Sequence, residues 1–203
     1  MEKLKYKTML GVFIITALWS IWGAYNITLW FLEAGLCLVA LVVLVATFRR
    51  FRFTDITYFF ILVELIVLLI GAHYSYSQVP LFNWIKEVCE HSRNNYDKLG
   101  HFCQGFVPAF ISREILIRRD VIRKPNWLPF FVICISLAIS AFYELIEWWG
   151  ALLVKESAED FLGMQGDIWD TQSDMLMALI GSVCMLLFFS KWQDKQIRQI
   201  SKK

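Results

Sequence analysis

The chain reads as an all-α, polytopic membrane bundle of six transmembrane helices with both termini cytoplasmic. Composition leads there first: 58% of the 203 residues are hydrophobic and 16% aromatic, with a mean hydropathy of +0.52. Soluble domains are only about half apolar on a looser count. Six apolar runs then approach the roughly 20 residues that a helix needs to cross the hydrocarbon core. Finally, lysine and arginine crowd alternate connections between those runs, and cytoplasmic loops are the ones that retain them.

The expected spans are residues 9–25, 27–48, 56–72, 97–117, 127–149 and 170–190, forming one transmembrane domain over 1–203. The first begins after Lys3, Lys5 and Lys7 and continues through Trp19, Trp22 and Tyr25 without a small-x-small cleavage site, so it reads as an uncleaved span. Its connection to the second is so short that the two form a hairpin. Arg49, Arg50 and Arg52 close the second span, Arg118, Arg119, Arg123 and Lys124 follow the fourth, and Lys191, Lys195, Arg198, Lys202 and Lys203 follow the sixth. Only Lys86, Arg93, Lys98 and Lys155 fall on the other side. The location implied is a bacterial cytoplasmic (inner) membrane, with membrane lipids as the surrounding partners.

Two outer connections are long enough to hold structure. In residues 81–88, Leu81, Trp84, Ile85 and Val88 keep helical spacing while Lys86 and Glu87 face elsewhere, which predicts a short helix on the interface or a partly buried loop. Residues 156–170, with Gly163 and Gly166, suit a cap or a shallow re-entrant loop that closes over the bundle mouth. Trp127, Trp148, Trp149 and Trp169 lie at span ends as interfacial anchors. Gly105 with Ala109, and Ala178 with Ser182, have the four-residue spacing of close helix packing. A net charge of +2 with dispersed basic residues implies no nucleic-acid partner. Four of the five cysteines lie in apolar runs, without disulfide or zinc spacing.

Ionisable side chains within a bilayer are costly and face cavities or partners, so each marks a candidate site. At 1.5 Å per residue, His101 lies roughly 6 Å below Asp97, Asp174 roughly 6 Å below Asp170, Glu144 roughly 8 Å below Trp149, and Glu33 about 9 Å below the start of its span. Four helices thus bring these groups to one level. Asp97 and His101 share a helix face that continues to Gln104. Glu144 and Glu147 share another, and Asp167, Asp170 and Asp174 a third if the sixth helix begins near Gly166. His73 and Tyr143 are placed to join them. Glu64 stands apart near mid-span. Arg113 and Glu114, near the cytoplasmic end of the fourth helix, read as structural.

Such a pocket of carboxylates and imidazole admits three roles. It could hold a divalent metal ion through His101, Glu144 and Asp174. It could act as general acid and base or proton relay. Its members could also simply fix helix packing. The functions that follow are binding of a cation or polar lipid head group in the cell envelope, an enzyme acting on an envelope lipid, or a proton- or metal-coupled transporter in which Glu64 lines the path.

The segments Tyr96-Asp97-Lys98-Leu99-Gly100-His101-Phe102, Ala141-Phe142-Tyr143-Glu144-Leu145-Ile146-Glu147-Trp148 and Gly166-Asp167-Ile168-Trp169-Asp170-Thr171-Gln172-Ser173-Asp174-Met175 occur in the order in which the YjdF family of bacterial inner-membrane proteins has them. The chain resembles that family over most of its length. Over its last three helices it is similar, more distantly, to the VanZ-like group associated with teicoplanin tolerance. That second likeness implicates Asp97, His101, Glu144 and Asp174, and neither supplies a mechanism. No zincin pair, nucleophile elbow, Walker loop or dinucleotide fingerprint is present.

Overall fold

The computed structural model describes residues 2–154 and 165–201. It is all helical, with no strand among the described residues. The helices are α1 Glu2–Ile21, α2 Ile27–Thr47, α3 Asp55–Tyr74, α4 Pro80–Val88, α5 Tyr96–Arg118, α6 Leu128–Val154, α7 Asp170–Cys184 and α8 Ser190–Ser201. A π-helical turn, Met185–Phe189, joins the last two. Most of the 156–170 loop lies outside the described residues; from it, Gln165 and Gly166 onward are seen.

Five stretches are long and apolar enough to cross a membrane: Leu4–Ile21, Ile27–Thr47, Asp55–Tyr74, Pro125–Leu153 and Asp170–Ile200. α5, with 23 residues, is long enough but too polar to join them. It carries Asp97, Lys98, His101, Gln104, Arg113 and Glu114, and most of these are buried. The reason is position: α5 packs on α3, α6 and α7, so its polar residues face protein. α1 stops at Ile21, short of the Tyr25 expected, because Gly23 turns the chain at φ 72. Asn26 then caps α2 by accepting from the N–H groups of Thr28 and Leu29.

The ends of the bundle are chemically distinct. At the basic end, Glu114 is fully buried, yet its carboxylate accepts from Thr54 N (2.8 Å), Thr54 Oγ1 (2.8 Å), Thr57 Oγ1 (2.8 Å) and Arg118 (2.8 Å). A side chain of α5 thereby serves the buried start of α3, whose first N–H groups have no partner within the helix. Gln196 Oε1 accepts from Ile56 N–H, and Lys5 pairs with Asp55, so α1, α3 and α8 meet at this end. At the other end α4 touches the start of α5, with Pro80 at its first turn. Leu81, Trp84 and Val88 point outward, each at least 60% exposed, while Phe82 and Asn83 turn in to Tyr96 and Asn94.

Between the ends, α5 and α7 approach backbone to backbone. A Cβ on Gly105 would collide with the backbone of Ala178, and one on Gly181 with the carbonyl of Phe102. These contacts bring Asp97 and His101 beside Asp170 and Asp174. Below them Phe60, Phe106, Phe110 and Phe189 form an aromatic core, ring centroids 4.9–6.0 Å apart.

Candidate metal centre

The polar residues of the other end form a cavity of about 30 Å³ lined by Glu33, Leu68, Tyr76, Asp97, Gly100, His101, Gln104, Tyr143, Glu147 and Asp174. Five helices and one turn supply that lining. The turn contributes Tyr76, in a left-handed conformation after Ser75, whose φ is also positive. Its ring lies where a Cβ on Gly71 would be, 2.5 Å from the ideal position, so only glycine at 71 lets Tyr76 enter.

The cavity borders two carboxylate groups of different character. In the first, Asp97, Asp170 and Asp174 offer oxygens within 4.8 Å of one another, but two cations already hold them. Lys98 Nζ donates to Asp170 (2.6 Å) and Asp174 (2.8 Å) and lies 3.7 Å from Asp97. Arg93 pairs with Asp97 and Asp170 and reaches Asp167 at 3.4 Å. Burial works against the Arg93 charge, but the carboxylates of Asp97 and Asp170, with Asp174, outweigh it and raise the guanidinium pKa above its ordinary value. Asn94 and Gln165 clasp the same corner: Asn94 N–H donates to Gln165 Oε1 (2.9 Å), and Gln165 Nε2 donates to Asn94 O (2.8 Å).

The second group is His101, Glu144 and Glu147, with donor atoms within the same 4.8 Å. No lysine or arginine pairs with it among the described residues. His101 Nδ1 lies 3.1 Å from Gln104 Oε1 and 3.7 Å from Glu144 Oε1. His101 Nε2 lies 3.7 Å from Asp174 Oδ1. The Glu144 side chain is 10% exposed, and its Oε1 has no hydrogen-bond partner. Nearby, Tyr143 Oη donates to Glu33 at 3.1 Å.

The structure thus brings Asp97, His101, Glu144, Glu147, Asp167, Asp170, Asp174 and Glu33 to one end, divided into a half paired with Arg93 and Lys98 and a half with no lysine or arginine ion pair among the described residues. His73 is elsewhere: its Nδ1 is 2.8 Å from Ser20 O and its ring stacks on Trp19 at 4.5 Å. Glu64 does not line the cavity. Sequence reasoning missed Tyr76 and the neutralising roles of Arg93 and Lys98. Arg93 stands four residues before Asp97, a spacing that signals an ion pair. For Tyr76 the sequence has no signal beyond the facing Gly71.

The matching family model, "Predicted membrane protein (DUF2238)", covers residues 6–195. The chain is 44% identical over 177 residues to "Inner membrane protein YjdF" of Escherichia coli (strain K12), spanning 87% of this chain and 85% of that protein. No solved structure matches. The more distant VanZ-like likeness gains no support from these comparisons. With its apolar helices and this kinship, the chain belongs to the DUF2238 family of membrane proteins and is a multi-pass protein of the inner membrane.

Proposed function

We propose that this protein crosses the inner membrane six times with both termini cytoplasmic, and that its outward pocket binds one divalent cation in an envelope-related role. The sixth crossing is α5, whose polar groups are sheltered by its neighbours. Its direction follows from Glu114 at one end and Asp97 at the other. The pairing of α1 and α8 with the start of α3 supports termini on one side, and the density of lysine and arginine there supports the cytoplasmic side.

One observation carries the cation reading: Glu144 keeps a buried carboxylate oxygen without a partner, beside His101 and Glu147, while the adjacent aspartates are fully paired. Buried charge is costly unless paired or bound to metal. His101 Nδ1, Glu144, Glu147 and Gln104 Oε1 make a four-donor set of imidazole and oxygens that suits zinc or manganese. Asp174 Oδ1, 3.7 Å from Nε2 on the other side of the ring, is placed to steer the imidazole by charge. This assigns Glu147 as ligand and Asp174 as positioning residue, against the set His101, Glu144 and Asp174 expected from sequence. The space favours an ion over a lipid head group, since about 10–15 Å³ is needed for one water.

The test is the metal content and metal-dependent melting of detergent-purified protein beside His101→Ala and Glu147→Gln. Stoichiometric metal, lost in both variants, is the expected result. At a metal concentration about a hundredfold above Kd, stabilisation is about 2.7 kcal/mol, roughly 5–10 °C for a chain of this size. Absence of metal with equal melting in all three proteins would overturn the reading.

A further inference from the structure

Two connections at the basic end are tied to each other by side chains that take no part in the pocket. Residues 48–54 join α2 to α3, and residues 119–127 join α5 to α6. Arg118 bridges them: its Nη1 donates to Arg52 O at 2.6 Å and to the buried Glu114 carboxylate at 2.8 Å. Its guanidinium lies 4.0 Å from the centre of the Phe51 ring, and the guanidinium of Arg119 lies 5.2 Å from the same ring. An aromatic face attracts such cations, so two neighbouring guanidinium groups are gathered on one half-buried side chain. The charge of Arg118 is met by Glu114. That of Arg119 is met by no carboxylate among the described residues.

The same two connections carry an excess of positive charge. Arg49, Arg50, Arg119, Arg123 and Lys124 are all exposed, and among the described residues none of them makes an ion pair. Asp120 is the one acid in either connection. Cations crowded in this way repel one another, and a bound anion offsets the repulsion. Their height indicates which anion. Arg49 and Arg50 closely follow the apolar stretch Ile27–Thr47, and Lys124 immediately precedes Pro125–Leu153, so they stand at the level of lipid head groups. Past Lys124 the surface becomes apolar: Trp127, Phe130 and Phe131 pack on one another and are 53%, 53% and 42% exposed. A phospholipid presents its phosphate and its acyl chains in that order.

We propose that these clasped connections bind the phosphate of an anionic phospholipid, with Arg119 and Arg50 as its main contacts and the acyl chains lying along Trp127 and Phe131. A planar guanidinium offers paired donors to phosphate oxygens, which suits arginine to this task. Phe51 is a positioning residue, since its ring holds Arg119 beside the loop that carries Arg49 and Arg50. The basic residues of α8 make a contrast. Lys191, Lys195 and Arg198 are also exposed, but they stand on a single helix and no aromatic ring holds them among the described residues. They add to the general field of this end without forming a site. The inference is independent of the cation reading and of which side of the membrane the basic end faces.

The test is native mass spectrometry of the full chain in neutral detergent, titrated with phosphatidylglycerol, phosphatidylcholine or inorganic phosphate. The parent should retain phosphatidylglycerol in preference to phosphatidylcholine, and inorganic phosphate at equal concentration should not displace it. Arg50→Gln with Arg119→Gln should weaken phosphatidylglycerol binding about thirtyfold, at about fivefold for each cation near the surface. Phe51→Leu, which keeps every charge, should weaken it about two- to fivefold. Lys195→Gln with Arg198→Gln removes the same charge from α8 and should leave the affinity at the parent value. If Phe51→Leu does not fold, as read from its lipid-free melting, the two charge pairs make the comparison between them. Equal losses from the two pairs, unchanged affinity in the loop pair or in folded Phe51→Leu, or equal retention of phosphatidylcholine overturns the proposal. Displacement by inorganic phosphate overturns it too, leaving a site for free anions rather than for lipid.

Discussion

Glu114 and Glu144 are two buried carboxylates of one bundle with opposite surroundings. Glu114, at the basic end, has both oxygens engaged by Thr54, Thr57 and Arg118. Glu144, at the acidic end, keeps an oxygen to which nothing donates. A carboxylate serving only architecture is saturated, because an unmet charge in a low-dielectric interior costs several kcal/mol. The contrast separates an end whose buried carboxylate is saturated by the helices it joins from an end where a carboxylate oxygen has no donor.

The largest effect should come from Glu114→Ala. It strands a backbone N–H, two hydroxyls and a guanidinium, and should cost about 3–5 kcal/mol, read as a melting drop in detergent. A loss no greater than that of Glu144→Ala would break the comparison. Next, Lys98→Met removes one of the two cations from the Asp97, Asp170 and Asp174 group. A loss of about 1.5–3 kcal/mol is expected, together with a second bound divalent ion detectable by elemental analysis, since the vacated oxygens lie within 4.8 Å of one another. Gly105→Ala pushes α5 from α7 and should cost about 1–3 kcal/mol, with weaker metal binding because His101 and Asp174 ride on those helices. Smallest of all, Glu144→Gln should shift metal-free melting by less than about 1 kcal/mol while abolishing the metal-dependent rise.

Much of the fold was legible in hydropathy, because lipid imposes apolar length on any helix facing it. α5 shows the limit of that signal. A helix surrounded by other helices is free to be polar, so hydropathy alone does not pick α5 out as it does the five apolar stretches. For the candidate site, depth arithmetic put His101, Glu144, Asp174 and Glu33 at one level, and the structure places them at one end. Depth says nothing of rotation about a helix axis, which is why His73, at a suitable height, points instead at Ser20 and Trp19. Nor does it tell which carboxylates a lysine will reach. Lys98 counted in the sequence only as an outer basic residue at the start of a span, yet its Nζ sits between Asp170 and Asp174 and so decides which half of the cluster is left open.

The π turn at Met185–Phe189 has a consequence for how chain length can drift among relatives. Such a turn accommodates one residue more than an α-helix would over the same rise, and it absorbs that residue locally. Elsewhere in a span, deleting a residue rotates everything downstream by about 100°. Here the deletion would restore an ordinary helix and leave Gln193 still facing Phe110 and Thr57. Among the described residues this π turn is a point at which a homologue can be one residue shorter and keep both ends of the bundle intact.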